Sequence, residues 1–144
     1  MSTIEGEWTN RVIGTAQTPR LFLDFVIDGN SLYEQLYEKC GDFITPFGWL
    51  PSEETQKAIN RLLLIDGADF ADNRRSIYVC PECADLGCGA VSALIERVDN
   101  NIVWREFGIQ NNYDKFVDLD SFVGLGPFVF DWREYERVIK AAAV

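Results

Sequence analysis

The sequence predicts one α+β domain spanning residues 1–144, a mainly antiparallel sheet packed against two to three helices. Three observations carry this expectation. Runs of β-branched and aromatic residues bounded by turn residues recur along the chain, as at 21–27, 76–80 and 102–107. Apolar residues at helical spacing follow capping residues near Ser31, Ser52 and Asp131. At 144 residues, 47% of them hydrophobic, the chain can bury an ordinary core, and no repeat, low-complexity tract or linker divides it.

Residues 4–13 read as a first strand. Residues 21–27 (LFLDFVI) are a stronger one, between Pro19 and the Asp28-Gly29 turn. Asn30 or Ser31 then caps a short helix through Lys39, which places Leu32, Tyr33, Leu36 and Tyr37 at helical spacing. The glycines, prolines and aromatics of 40–51 predict an ordered loop. Ser52, followed by Glu53 and Glu54, opens a helix to about Leu64, with acidic groups at the positive end of its dipole and Ile59, Leu62 and Leu63 buried.

Residues 66–75 are polar and mainly acidic and read as a connector. Strands follow at 76–80, 90–98 and 102–107. The last two are joined at Asp99-Asn100-Asn101, residue types that tolerate positive φ. The 90–98 segment alternates imperfectly, so a helix is the competing reading there. A short strand at 127–130 leads to Asp131 and Glu134, a pair resembling a capping box. They open a terminal helix with Trp132, Tyr135, Val138 and Ile139 as its apolar stripe.

The charge narrows the partners. Thirteen basic against 23 acidic residues give −10, a field that repels nucleic acid and anionic lipid and speeds encounter with a basic protein. The N-terminus has acidic residues where a signal peptide would be basic, and the apolar runs are too short for a membrane span. A cytoplasmic setting is expected, with the four cysteines as reduced thiols or metal ligands.

The chain contains no histidine, which removes Ser-His-Asp and Cys-His nucleophiles, imidazole bases and histidine metal sites. No pair of carboxylates is singled out by spacing. Nucleotide motifs fail too: Gly87-Cys-Gly-Ala-Val-Ser92 starts like a dinucleotide fingerprint but ends in serine. Asp66, Asp69 and Asp72 recur every third residue, whereas a calcium loop needs every second.

The sharpest feature is Cys80-Pro81-Glu82-Cys83 followed by Cys88 between two glycines. Two thiolates separated by two residues can chelate zinc, and a glycine turn can bring in a third; Cys40 is the remaining thiolate for a fourth position. A redox pair at Cys80 and Cys83 is an alternative, although no helix follows to depress the thiol pKa. Free thiols packed in a tight turn remain the third reading.

The block Tyr78-Val-Cys-Pro-Glu-Cys-Ala-Asp-Leu-Gly-Cys-Gly-Ala90, with Val103-Trp-Arg-Glu-Phe-Gly108, Asn111-Asn-Tyr-Asp114 and the Pro127 to Asp131 ending, resembles a family of small uncharacterised bacterial proteins. Some members carry an oxidoreductase label without known catalytic residues, so the resemblance implies a shared Cys80, Cys83 and Cys88 block but no catalytic residue, and Cys40 lies outside it. The opening Phe25-Val-Ile-Asp-Gly-Asn-Ser-Leu32 looks like that of bacterial immunity proteins, acidic non-enzymes that neutralise a cognate toxin, often a basic nuclease. That likeness implies a non-catalytic binding protein. Asp66, Asp69, Asp72 and Asp85, placed in expected loops, are its candidate contacts with a basic partner.

Overall fold

A computed structural model describes residues 1–12 and 17–143, and Ile13, the end of the expected first strand, lies outside them. The α+β expectation holds, with the sheet divided in two. Strands β1 (Ile4–Asn10), β2 (Leu21–Ile27) and β3 (Asn30–Ser31) form one antiparallel sheet. Strands β4 (Arg74–Val79), β5 (Ala90–Val98), β6 (Asn101–Gln110) and β7 (Phe128–Asp131) form the other, in sequence order. Helices α1 (Leu32–Cys40), α2 (Ser52–Leu62) and α3 (Trp132–Lys140) complete the domain.

Both hairpin turns follow from positive φ in a two-residue loop. Asp28 (φ 52°) and Gly29 (φ 81°) return β2 into the short β3, whose Ser31 hydroxyl accepts from Glu34 N and caps α1. Asp99 (φ 53°) joins β5 to β6, so 90–98 is a strand and not a helix, held on both sides by β4 and β6.

The segment expected as an ordered loop stitches the sheets together. Ile44 pairs with Val79 of β4 through bonds of 3.1 and 2.7 Å, while the Thr45 hydroxyl donates to Leu23 O (2.6 Å) and Phe47 O accepts from Leu23 N (3.0 Å). Between the sheets lies an aromatic core. Trp104 meets Phe25, Phe130 and Tyr135 edge-on at 5.3–5.8 Å between ring centres, a geometry that aligns ring edges with ring faces. The Tyr135 hydroxyl donates to Leu62 O at 2.6 Å, tying α3 to the end of α2.

Buried polar groups mark where the sequence reading needs correction. Arg74 and Arg75 were expected in the polar connector, yet both lie buried in β4. Their guanidinium groups are tolerated there because carbonyls and side-chain oxygens meet them. Arg74 donates to Ser92 Oγ (3.0 Å), Gln110 Oε1 (3.1 Å), Ser92 O (3.1 Å) and Glu106 O (2.5 Å), and Arg75 donates to Arg61 O and Asp66 O at 2.7 Å each. The Glu106 carbonyl reaches Arg74 because Glu106 (φ 54°) sits in the bulge between the Ser92 and Leu94 pairings of β5 and β6.

Two helix starts also differ. Ser52 is the first residue of α2 and not its cap, so its hydroxyl does not close the helix; Pro51 precedes it. Asp131 caps α3 as expected, accepting from Glu134 N, but Glu134 reaches across to Ile4 N (2.8 Å) rather than back to the cap.

Candidate metal centre

The cysteine block connects β4 to β5, and each sulfur is positioned by a backbone reason. Cys80 follows directly on the buried β4. The chain then turns back, Ala84 N donating to Cys80 O (2.9 Å) with Ala84 at φ 58°. Asp85 N points at Cys83 Sγ (3.4 Å), and the Asp85 carboxylate accepts from Gly87 N (2.8 Å) to cap a short 3₁₀ turn, Leu86–Cys88. Gly89 (φ 96°) then turns the chain into β5, a conformation that favours glycine.

The sulfur atoms of Cys80, Cys83 and Cys88 all lie within 4.8 Å of one another, with Cys83 and Cys88 3.4 Å apart. Zinc–sulfur bonds of about 2.3 Å in a tetrahedron place sulfurs about 3.8 Å apart, so these separations bracket what one ion requires. Cys80 is half-buried and the other two are exposed. The expected fourth ligand is corrected: Cys40 is not in this group. It closes α1 with its thiol donating to Leu36 O (3.3 Å), and burial, with a smaller effect of Asp118, pushes its pKa to about 11.

The Cys83 and Cys88 thiols are electrostatically unequal. The Asp85 N–H, then the Cys88 thiol, hold Cys83 below the ordinary thiol range. Cys88 is pushed up to about 11, first by its hydrogen bond to Cys83 and then by the Cys83 charge. Deprotonated, Cys83 can either bind a metal or attack a disulfide.

A clamp from the N-terminal segment holds the Cys80–Cys83 turn. Glu82 accepts from the Thr18 hydroxyl (2.7 Å), Thr18 N (3.2 Å) and the Arg11 guanidinium; the Arg11 bond is the largest influence holding its pKa down at about 2. Arg11 is itself buried and paired with Asp42 at 2.6 Å. Arg20 donates to Pro81 O (3.0 Å) and Glu82 O (3.3 Å), with its guanidinium 4.5 Å from the centre of the Trp49 ring. Nothing in the spacing of Arg11 or Arg20, 69 and 60 residues before Cys80, signals this role.

The four candidate partner-binding aspartates fall in different settings. Asp66, Asp72 and Asp85 are exposed. Asp69 is half-buried and holds β4 in place, accepting from Ser76 N (2.9 Å) and the Ser76 hydroxyl (2.5 Å) and lying 3.3 Å from Arg61 Nε. Asp69 and Asp72 line one hollow of about 380 Å³ together with Tyr113 and Asp114. Asp85 is part of the cysteine turn. Among the described residues, no helix is long and apolar enough to cross a membrane.

No family model, curated protein or solved structure compared with the chain matches it. The geometry of the chain itself therefore has to carry the functional reading.

Proposed function

We propose that the protein is a zinc-binding module in which Cys80, Cys83 and Cys88 hold one ion at the exposed connection between β4 and β5. The observation that carries this reading is the convergence of three sulfurs within 4.8 Å of one another. Zinc matches the donor set, because thiolates select soft or borderline ions and exclude magnesium and calcium. In the reducing cytoplasm, where we place the protein, the thiols stay available for metal. Bound there, the ion would fasten the end of β4 to the start of β5 and lock the turn that Arg11 and Arg20 grip from outside. Full-length protein incubated with zinc under reducing conditions is expected to bind one equivalent, losing it in the Cys83→Ser variant. Formation of a Cys83–Cys88 disulfide in mild oxidant, with no zinc uptake by the reduced protein, would favour the thiol-redox reading instead.

A role as an acidic binding protein is compatible with this centre, and the charge of −10 with exposed carboxylates at Asp66, Asp72 and Asp85 supports it. The partner would be a basic protein, such as a toxin domain neutralised in the manner of an immunity protein, and not nucleic acid or membrane. Neutralising Asp66 and Asp72 together should slow association with such a partner and weaken its salt dependence, leaving stability unchanged.

A further inference from the structure

We propose that a histidine of a basic partner protein completes the metal centre, docking over the exposed aromatic loop of residues 111–119. The inference rests on the zinc reading above and follows first from the ligand inventory. Zinc seeks four donors, and the cluster supplies three. The chain has no histidine, its remaining cysteine lies outside the group, and no Asp or Glu of the described residues joins it. Glu82, between Cys80 and Cys83, is held by Arg11 and Thr18, and Asp85 turns its Oδ1 back onto Gly87 N.

The surroundings of Cys88 are those of a docking surface. A hollow of about 290 Å³ beside it is lined by Gly87, Cys88, Phe116, Asp114 and Asp118. Phe116 and Tyr113 stand in solvent, 73% and 83% exposed. Tyr113 lies over the cysteine turn so closely that a Cβ added at Gly87 would fall 2.8 Å from its ring. Exposed aromatics beside an incomplete ligand set are the kind of anchor on which binding energy concentrates.

Charge selects the occupant. Three thiolates on a divalent ion leave one negative charge; Asp114 and Asp118 line the hollow, Asp85 lies on the cysteine turn and Asp120 just after the loop, against the loop's single Lys115. A second copy of this chain, also at −10, is repelled. A fourth thiolate would add another negative charge to this field, whereas a neutral imidazole adds none. The occupant is therefore a basic, apolar segment presenting histidine.

The test uses the full chain loaded with cobalt(II), whose visible bands report the ligand set. Free imidazole, the peptide Lys-Leu-His-Leu-Lys and the same peptide with Glu in place of both Lys are titrated in turn. All histidine ligands should shift the bands, with the Lys peptide binding at least about tenfold tighter than the Glu peptide. Phe116→Ser and Tyr113→Ser should weaken the Lys peptide by about tenfold while leaving free imidazole unaffected. Bands that imidazole and peptide leave unmoved on a cobalt-loaded protein would overturn the inference and assign the fourth position to water. Equal affinity for the Lys and Glu peptides would also overturn it. Failure to take up cobalt at all would instead remove the metal centre, and this inference with it.

Discussion

Tyr78→Phe deletes one oxygen from a buried polar cluster around Asp24. Asp24, 2% exposed in the middle of β2, accepts four hydrogen bonds: Tyr78 O–H (2.5 Å), Ser31 O–H (2.5 Å), Phe25 N (2.9 Å) and Tyr33 N (3.1 Å). These join β2 to β4 and to the start of α1. A hydrogen bond to a charged group contributes about 1.5–3 kcal/mol, and its loss here leaves the carboxylate buried with three donors. We expect Tyr78→Phe to cost about 2 kcal/mol, out of a stability on the order of 5–15 kcal/mol. At roughly 2–4 °C per kcal/mol for a chain of this size, the melting temperature should fall by about 4–8 °C.

The pH dependence gives a second, independent sign. Burial raises the Asp24 pKa above the ordinary carboxylate value, the hydrogen bonds opposing it. A raised folded pKa means that the group's contribution is fully present below the unfolded value, near ~3.9, and is lost as pH rises through the folded value. Removing the Tyr78 bond raises the folded pKa further, so the penalty should be larger at neutral pH than below ~4. Urea titrations of both proteins at the two pH values, with unchanged slope, measure this. A neutral-pH penalty under about 0.5 kcal/mol, or one that grows on acidification, would refute the reasoning.

Glu82 should show the opposite pH sign. Its pKa is held at about 2 against an ordinary 4.5, chiefly by Arg11. Its contribution is present above the ordinary value and lost as pH falls toward 2; Glu82→Gln should flatten the melting-temperature profile across that window. Among the aspartates, Asp69→Ala should cost about 1–3 kcal/mol, because the Ser76 donors lose their acceptor. In the same denaturation assay Asp66→Ala should stay within about 0.5 kcal/mol of the parent. Gly48→Ala should destabilise by about 1–3 kcal/mol. Gly48 has φ 110°, and a Cβ would fall 2.5 Å from the Trp8 ring and 3.0 Å from Leu21 O, so thermal melting should register strain and clash together.

Much of the fold was legible because local chemistry and tertiary structure agree. LFLDFVI is a largely buried strand, Asp28-Gly29 and Asp99-Asn100 are tight turns, and Trp132, Tyr135, Val138 and Ile139 line α3, three of them buried and Trp132 half-buried against the core. Long-range satisfaction was not legible. Arg74 and Arg75 read as solvated charge because the carbonyls that accept from them lie up to 32 residues away in sequence. The division into two sheets also escaped, since residues 44–47, which join them, carry no strand-like run. At the site, the Cys-x-x-Cys spacing and the later Cys88 pointed to the three sulfurs that converge. Cys40 stays outside the cluster at the end of α1, a position that spacing does not encode. The Arg11–Glu82 and Arg20–Pro81 bonds depend on folding alone.

The most direct test of the metal centre is the mass of the intact, natively folded chain after zinc exposure under reducing conditions, followed by thiol labelling. One zinc per chain is expected, with Cys80, Cys83 and Cys88 protected from labelling and Cys83→Ser abolishing uptake. A chain that stays bare in excess zinc, with Cys83 and Cys88 labelling freely, would contradict it.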